Sequence, residues 1–155
     1  MLFRTHLTFA VLVFFILNFI FIVPNKILFF IFVILGAILV DIDIKNSKVG
    51  RHWYLRPFQF FIKHRGMVHS LIFGLFVSVL IASINQWAGF GFFAGFASHL
   101  FLDFLTASGI NLFWPIWNKK FGLGIKTGGL IEEIFFVLIL LADFWIFLKY
   151  ILEVF

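Results

Sequence analysis

Long apolar runs dominate the chain, and short polar stretches separate them. Because these runs are apolar on every face, their length and their flanks define the elements better than any helical periodicity does. A membrane-spanning helix needs about 20 mostly apolar residues. The candidate runs are about 3–23, 27–40, 68–84, 87–106 and 130–152. The pattern predicts an all-α, polytopic membrane bundle of about five transmembrane helices, forming a single domain over residues 1–155.

Composition supports this interpretation and excludes other classes. The chain is 63% hydrophobic and only 12% charged, which is incompatible with a disordered protein and far too apolar for an ordinary soluble domain. It contains no cysteine, so disulfides and thiolate metal sites are excluded. The first run resembles a signal-peptide core, but it is long and has no small-residue cleavage site before Pro24, so we expect it to be retained.

Positive charge is distributed unevenly across the predicted crossings. Five crossings place the N-terminus and the two long polar connections, residues 44–66 and 107–129, on one side. Ten of the 12 Lys and Arg residues then lie on that side, and only Lys26 and Lys149 lie on the other. The positive-inside rule therefore predicts a multi-pass protein of the cytoplasmic (inner) membrane with its N-terminus in the cytoplasm.

Residues capable of binding metals collect on this same side. All five histidines and five of the seven acids lie there, at helix ends or in the first long connection. His99 and Asp103 are four residues apart, so a helix presents both on one face. Gly91 and Gly95 share that face, which favours close packing of a neighbouring helix. We therefore expect His99 and Asp103 to point into the bundle.

Two further motifs add ligands from other helix ends. Asp41 and Asp43 lie two apart, so their carboxylates converge only if the helix ends near Asp41 and the chain becomes extended. His64 and His69 flank the predicted entry into the third helix, with His69 in its first turn. Arg65 between them is a permanent cation suited to a phosphate group.

Two other candidates are ambiguous when taken alone. Glu132 and Glu133 begin the last helix, where acids also complement the helix dipole, so a structural role and a ligand role are equally open. His6 near the start of the first helix is more typical of an interfacial cap than of a ligand. Convergence of all these groups from five helices nevertheless favours a single polar cluster.

Several blocks resemble, in order and spacing, the motifs of the YdjM-like family of bacterial and archaeal inner-membrane proteins, and the resemblance covers nearly the whole chain. The blocks are Val40-Asp41-Ile42-Asp43, His64-Arg65-Gly66-x-x-His69-Ser70, Ser98-His99-x-x-x-Asp103-x-x-Thr106-x-Ser108-Gly109, Thr127-Gly128-Gly129-x-x-Glu132, and an early Thr-His that includes His6. Val40 replaces the usual proline of the first block. The family is distantly similar to zinc-dependent phospholipase C, so the resemblance implies a metal-dependent hydrolase.

Together these arguments predict a membrane-bound hydrolase that cleaves a phosphoester of a lipid or amphiphilic substrate through a metal-activated water, and no nucleic acid is implied. Zn²⁺, or alternatively Mn²⁺, suits the oxygen and imidazole donors, with one to three ions. Asp43 or Glu132 would accept the proton, and Arg65 would bind the phosphate. The predicted metal ligands are His6, Asp41, Asp43, His64, His69, His99, Asp103 and Glu132.

Two alternative functions remain open from the sequence. A metal-ion transporter would place ligands near the middle of the bilayer, where this chain has few polar residues. A non-catalytic protein that binds anionic lipids through its basic loop would explain the cations but not the clustered acids. Metal uptake into liposomes identifies the first, and chelator-insensitive lipid binding identifies the second.

Overall fold

The structure is a computed structural model that describes residues 1–43 and 67–152. These parts of the chain form five α-helices and contain no strand beyond isolated bridges. The helices are α1 (Phe3–Ile20), α2 (Lys26–Leu39), α3 (Leu71–Ala82), α4 (Gln86–Leu105) and α5 (Leu130–Leu152), and a 3₁₀ helix (Val40–Asp43) follows α2. The predicted all-α class is confirmed.

Three helices are long and apolar enough to cross a membrane. These are α1 with 18 residues, α4 with 20 and α5 with 23, whereas α2 and α3 are equally apolar but have only 14 and 12 residues. The second and third apolar runs were the short ones in the sequence as well. The architecture is therefore that of a polytopic membrane bundle.

Polar caps set the beginnings of the three middle helices. The side chains of Asn25, Ser70 and Asn85 each accept a hydrogen bond from the backbone N–H three residues later. The prediction that the third helix begins near Val68 is wrong, because Ser70 is the cap and α3 starts at Leu71. His69 consequently lies just before the helix rather than in its first turn.

Glycines bring α2 and α4 into backbone contact. A Cβ on Gly95 would lie 1.8 Å from the carbonyl oxygen of Val33, and a Cβ on Gly36 would lie 2.1 Å from that of Phe92. Any larger residue at either position would force the two helices apart. The predicted small-residue face of α4 is confirmed, and it places the C-terminal half of α4 deep in the bundle.

The two longest helices occupy different positions. In α4, 61% of the 18-residue apolar window is buried, and α4 packs against α1, α2 and α3. In α5 the buried share is 11%, and its packing is mainly along α1. Helix α4 is therefore the central element of the bundle, and α5 is a peripheral one.

The connection between α4 and α5 folds back against the start of α3. Ile110 and Phe121 exchange two backbone hydrogen bonds of 2.9 and 3.0 Å, which closes the connection into a loop. The backbone N–H of Leu71 donates to the carbonyl of Leu112 at 2.8 Å. These contacts hold the beginning of α3 beside the end of α4, so His69 is placed near Asp103.

Candidate metal centre

Five predicted ligands meet at one end of the bundle. His6 lies in the first turn of α1, Asp41 in the 3₁₀ helix after α2, His69 before α3, and His99 and Asp103 near the end of α4. All are buried except Asp41, whose side chain is 13% exposed. The predicted convergence is therefore found for these five residues, which we call the polar cluster.

The orientation of the His99 ring is fixed by a backbone carbonyl. Nδ1 of His99 lies 2.7 Å from the carbonyl oxygen of Ala37. Ala37 is among the last four residues of α2, whose carbonyls have no partner within the helix. A carbonyl can only accept, so Nδ1 carries the proton, and in the neutral ring Nε2 presents a lone pair. Metal-binding histidines are held in this way by hydrogen bonds from the other ring nitrogen.

The lone pair of His99 points toward carboxylates. Its Nε2 is 3.7 Å from Oδ1 of Asp41 and 3.6 Å from Oδ2 of Asp103, both beyond hydrogen-bond length. Among the described residues this buried nitrogen has no hydrogen-bond partner. An acceptor nitrogen that faces two carboxylates is unfavourable unless a cation lies between them. The geometry of the site therefore fits a metal ion.

The spacing of the cluster fits a single ion better than two. Two overlapping triads can be drawn, one with His6, His99 and Asp103 and one with Asp41, His69 and His99, each with ligand atoms within 4.8 Å. His99 is common to both, and its one available lone pair can serve only one ion. Ligands about 2.0–2.1 Å from a tetrahedral ion lie roughly 3.3–3.4 Å apart.

The observed separations are slightly wider than that value. They include the 3.8 Å from Nε2 of His69 to Oδ2 of Asp103. These contacts link Asp41, His69, His99 and Asp103, but among the described residues only three ligands at a time lie mutually within 4.8 Å. A small inward movement of either triad would bring its three ligands to the spacing expected around one ion.

His6 contacts the cluster from the side of α1. Its Nε2 lies 3.3 Å from Oδ1 of Asp103, and its ring stacks on that of His99 with centroids 3.8 Å apart. The N-terminal ammonium of Met1 also contacts Oδ1 of Asp103, at 2.9 Å. One oxygen of Asp103 thus contacts Met1 and His6, and the other faces His69 and His99.

Glu132 has a different environment. Its Oε1 accepts hydrogen bonds from the backbone N–H of Leu2 (2.5 Å) and the hydroxyl of Thr5 (2.9 Å), and its Oε2 accepts one from the N–H of Gly128 (2.7 Å). This buried carboxylate therefore ties the start of α1 to the start of α5. It belongs to neither triad among the described residues, and its roles as ligand and as proton acceptor stay predictions.

The sequence left open which of Glu132 and Glu133 points into the bundle. Glu133 is exposed and forms an ion pair with Arg4, whereas Glu132 is 1% exposed. Of the two acids, Glu132 is therefore the one that points inward.

Three predicted site residues are not placed by the structure. His64 and Arg65 lie outside the described residues, and so does the side chain of Asp43. The backbone from Val40 to Asp43 forms a 3₁₀ helix, so the expectation of an extended chain at this point is wrong. The local hydrogen-bonded turn simply continues beyond α2. The roles assigned to these residues stay predictions.

Two contributors to the site were missed from the sequence. The carbonyl of Ala37 has no side-chain signature, although its place in the last turn of α2 was a usable signal. Thr5, which donates to Glu132, was marked only by its position beside His6.

Comparisons with known proteins agree with the motifs. The family model described as "YdjM inner membrane protein" matches residues 1–152. The Inner membrane protein YdjM of Escherichia coli (strain K12) is 31% identical over 106 residues, covering 62% of this chain and 54% of that protein, and the Shigella flexneri protein of the same name matches equally. The chain thus aligns with about half the length of these two curated relatives.

A third relative is covered more fully. The Uncharacterized protein YvsG of Bacillus subtilis (strain 168) is 31% identical over 117 residues, covering 72% of this chain and 73% of that protein. No solved structure matches the chain significantly. With a family model that covers almost its whole length, the chain belongs to the family of YdjM inner membrane proteins.

Proposed function

We propose that this protein is a membrane-bound, metal-dependent hydrolase that cleaves a phosphoester of a lipid or amphiphilic substrate at the end of the bundle that carries the polar cluster. The observation that carries the proposal is the His99 ring, which Ala37 holds with its acceptor nitrogen facing the carboxylates of Asp41 and Asp103. This arrangement is costly without a cation and favourable with one.

The donor set indicates the class of ion. Two imidazoles and two carboxylates, with no sulfur, suit Zn²⁺ or Mn²⁺. Hydrolysis needs an open position for water, which a tetrahedral ion held by one of the two triads would provide. Asp41 is the most exposed of the four side chains, so water and substrate would reach the cluster from its side.

The proposed chemistry follows from a divalent metal ion beside carboxylates. When bound, such an ion lowers the pKa of water toward about 7 and polarises a phosphoryl oxygen. Asp43 and Glu132 remain the candidates for the proton acceptor, and Arg65 remains the candidate for binding the substrate phosphate. Oε2 of Glu132 takes one hydrogen bond from the described residues, and a carboxylate oxygen can accept two.

Two features support a lipid substrate and a cytoplasmic site. The cluster lies at the ends of helices that are long enough to span a bilayer, which is the depth of lipid headgroups. The excess of Lys and Arg on the same side of the predicted topology favours the cytoplasmic face.

The test measures metal content and hydrolysis together. The protein, purified in detergent without chelators, is analysed for bound metals and assayed on phospholipids in mixed micelles. We expect at least one Zn²⁺ or Mn²⁺ per chain, with metal and activity both lost in His99→Ala and Asp103→Asn. Glu133→Gln, which changes an exposed acid, is the matched control and should keep both. Unchanged metal content in both cluster variants would overturn the proposal.

A further inference from the structure

The far end of the bundle contains a groove of its own. It lies between α1 and α5, has a volume of about 630 Å³, and is lined by side chains from the C-terminal halves of both helices and by Lys26 at the start of α2. The polar cluster is at the opposite end of these helices. Nothing in the proposed hydrolase chemistry uses this groove.

The groove is lined by the two lysines that the predicted topology places away from all other basic residues. Lys26 and Lys149 are the only Lys or Arg residues that the sequence assigns to the far side, and both line the groove. They are the only charged side chains among the described residues that line it. Two cations at one place on an otherwise cation-poor side favour an anionic ligand.

Hydrogen-bond donors are available at the groove for such a ligand. The ammonium of Lys26 donates to the hydroxyl of Tyr150 at 3.0 Å and lies 5.0 Å from the centroid of its ring. An ammonium has three donors, so two remain after this bond, and the Tyr150 hydroxyl can donate its own proton. Lys149 has a further interaction elsewhere, so Lys26 and Tyr150 carry the argument.

Apart from Asn18, the rest of the groove is apolar and aromatic. Its walls include Phe15 and Phe19 from α1 and Trp145 and Ile146 from α5. Both helices are long enough to cross a membrane, so these walls face the hydrocarbon region of a bilayer. A small soluble anion would satisfy the lysines but would leave this apolar length uncovered.

We propose that the groove binds one anionic phospholipid, with its phosphate on Lys26 and Tyr150 and one acyl chain between α1 and α5. Charge complementarity selects an anionic lipid over a zwitterionic one, because the latter would bring its own ammonium beside two lysines. The lipid would hold the far end of α5 against α1, as Glu132 holds the near end through Leu2 and Thr5.

Native mass spectrometry of the full chain in detergent tests this proposal. The protein is titrated with phosphatidylglycerol and with phosphatidylcholine carrying the same acyl chains. We expect phosphatidylglycerol to bind with one tight site and at least fivefold higher affinity. Lys26→Gln should reduce that preference several-fold, and Lys26→Gln/Lys149→Gln should abolish it. Lys120→Gln, at an exposed lysine in the connection between α4 and α5, is the matched control and should change nothing.

Four results would overturn the proposal, three of them from the titrations and one from a further variant. The first is equal affinity for the two lipids. The second is a loss in Lys120→Gln as large as that in Lys26→Gln, which would indicate a general charge effect. The third is displacement of phosphatidylglycerol by inorganic phosphate at constant ionic strength, which would identify a soluble anion as the ligand. Trp145→Ala keeps both lysines, so it tests the apolar wall of the groove without changing its charge. Reduced binding of phosphatidylglycerol supports a wall that contacts the acyl chain. Unchanged binding contradicts such a wall.

Discussion

The end of α4 and the beginning of α5 each bury a carboxylate at the same end of the bundle, but the two have opposite surroundings. Glu132 on α5 receives three hydrogen bonds from protein N–H and O–H groups. Asp103 on α4 is divided: its Oδ1 is bonded by the Met1 ammonium at 2.9 Å, whereas its Oδ2 faces the ring nitrogens of His69 and His99 at 3.8 and 3.6 Å, beyond hydrogen-bond length. A carboxylate whose two oxygens are both bonded by donors stabilises the fold, whereas the second oxygen of Asp103 is left for a ligand.

The packing of the two helices follows the same division. Helix α4 is central and held tightly against α2 through glycines, so its side chains keep fixed positions. Helix α5 is mostly exposed and contacts mainly α1. The hydrogen bonds of Glu132 are therefore important for holding the beginning of α5 in place. Helix α4 therefore places the ligands rigidly, and Glu132 separately anchors the peripheral helix α5.

The largest expected effect comes from Gly95→Leu. Because a Cβ at this position already overlaps the carbonyl of Val33, a leucine would force α2 away from α4 and separate Ala37 from His99. We expect no stably folded protein in detergent, as measured by size-exclusion chromatography and thermal unfolding. Ala94→Leu, at the half-buried preceding position, is the control and should remain folded. A folded, metal-binding Gly95→Leu variant would contradict the close packing described for α4.

Removal of the metal should have the next largest effect. A ligand present at about 1,000 times its Kd stabilises the folded state by about 4 kcal/mol. A strong chelator should therefore lower the melting temperature of the wild type by several degrees. The same treatment should leave Asp103→Asn unchanged, because that variant has lost a ligand. An equal chelator effect on both proteins would show that Asp103 does not bind the ion.

Glu132→Gln should be destabilising through hydrogen bonding. Glutamine replaces one acceptor oxygen with an N–H group that would face a protein donor, which costs about 1–3 kcal/mol. Thermal unfolding should detect this loss, while Glu133→Gln should cost less than about 1 kcal/mol because its ion pair with Arg4 is exposed. If Glu132→Gln also lost the bound metal, the contrast between the two acids would fail and Glu132 would be a ligand.

Asp143→Asn should give the smallest effect, and in the opposite direction. Asp143 is a buried carboxylate in α5, and its Oδ1 has no hydrogen-bond partner among the described residues. An ionisable group in the apolar part of a helix is costly, and an amide costs less. We expect a gain of about 1 kcal/mol or less in thermal stability with unchanged metal content. A loss of stability would reveal a partner for this carboxylate.

The inward face of α4 and the membrane class of the protein were both predictable from the sequence. The spacing of Gly91, Gly95, His99 and Asp103 places them on one helical face, so their inward orientation followed from periodicity. Composition and run length were sufficient for the all-α membrane class.

The remaining features depend on tertiary contacts. The bond from His99 to the carbonyl of Ala37 joins residues on different helices and leaves no mark in the sequence. Two of the three partners of Glu132 lie near the N-terminus, 127 or more residues away, so a local pattern could not distinguish an anchor from a ligand. The start of α3 was misplaced because Val68 extends the apolar run, although Ser70 is the actual cap.

The central claim is that one ion is bound by imidazoles and carboxylates in the polar cluster. X-ray absorption spectroscopy of the purified, metal-loaded protein tests it most directly. The account predicts a first shell of nitrogen and oxygen with scattering from two imidazole rings, falling to one ring or to no bound metal in His99→Ala. A shell without imidazole, or a spectrum that is identical in the wild type and in His99→Ala, would contradict it.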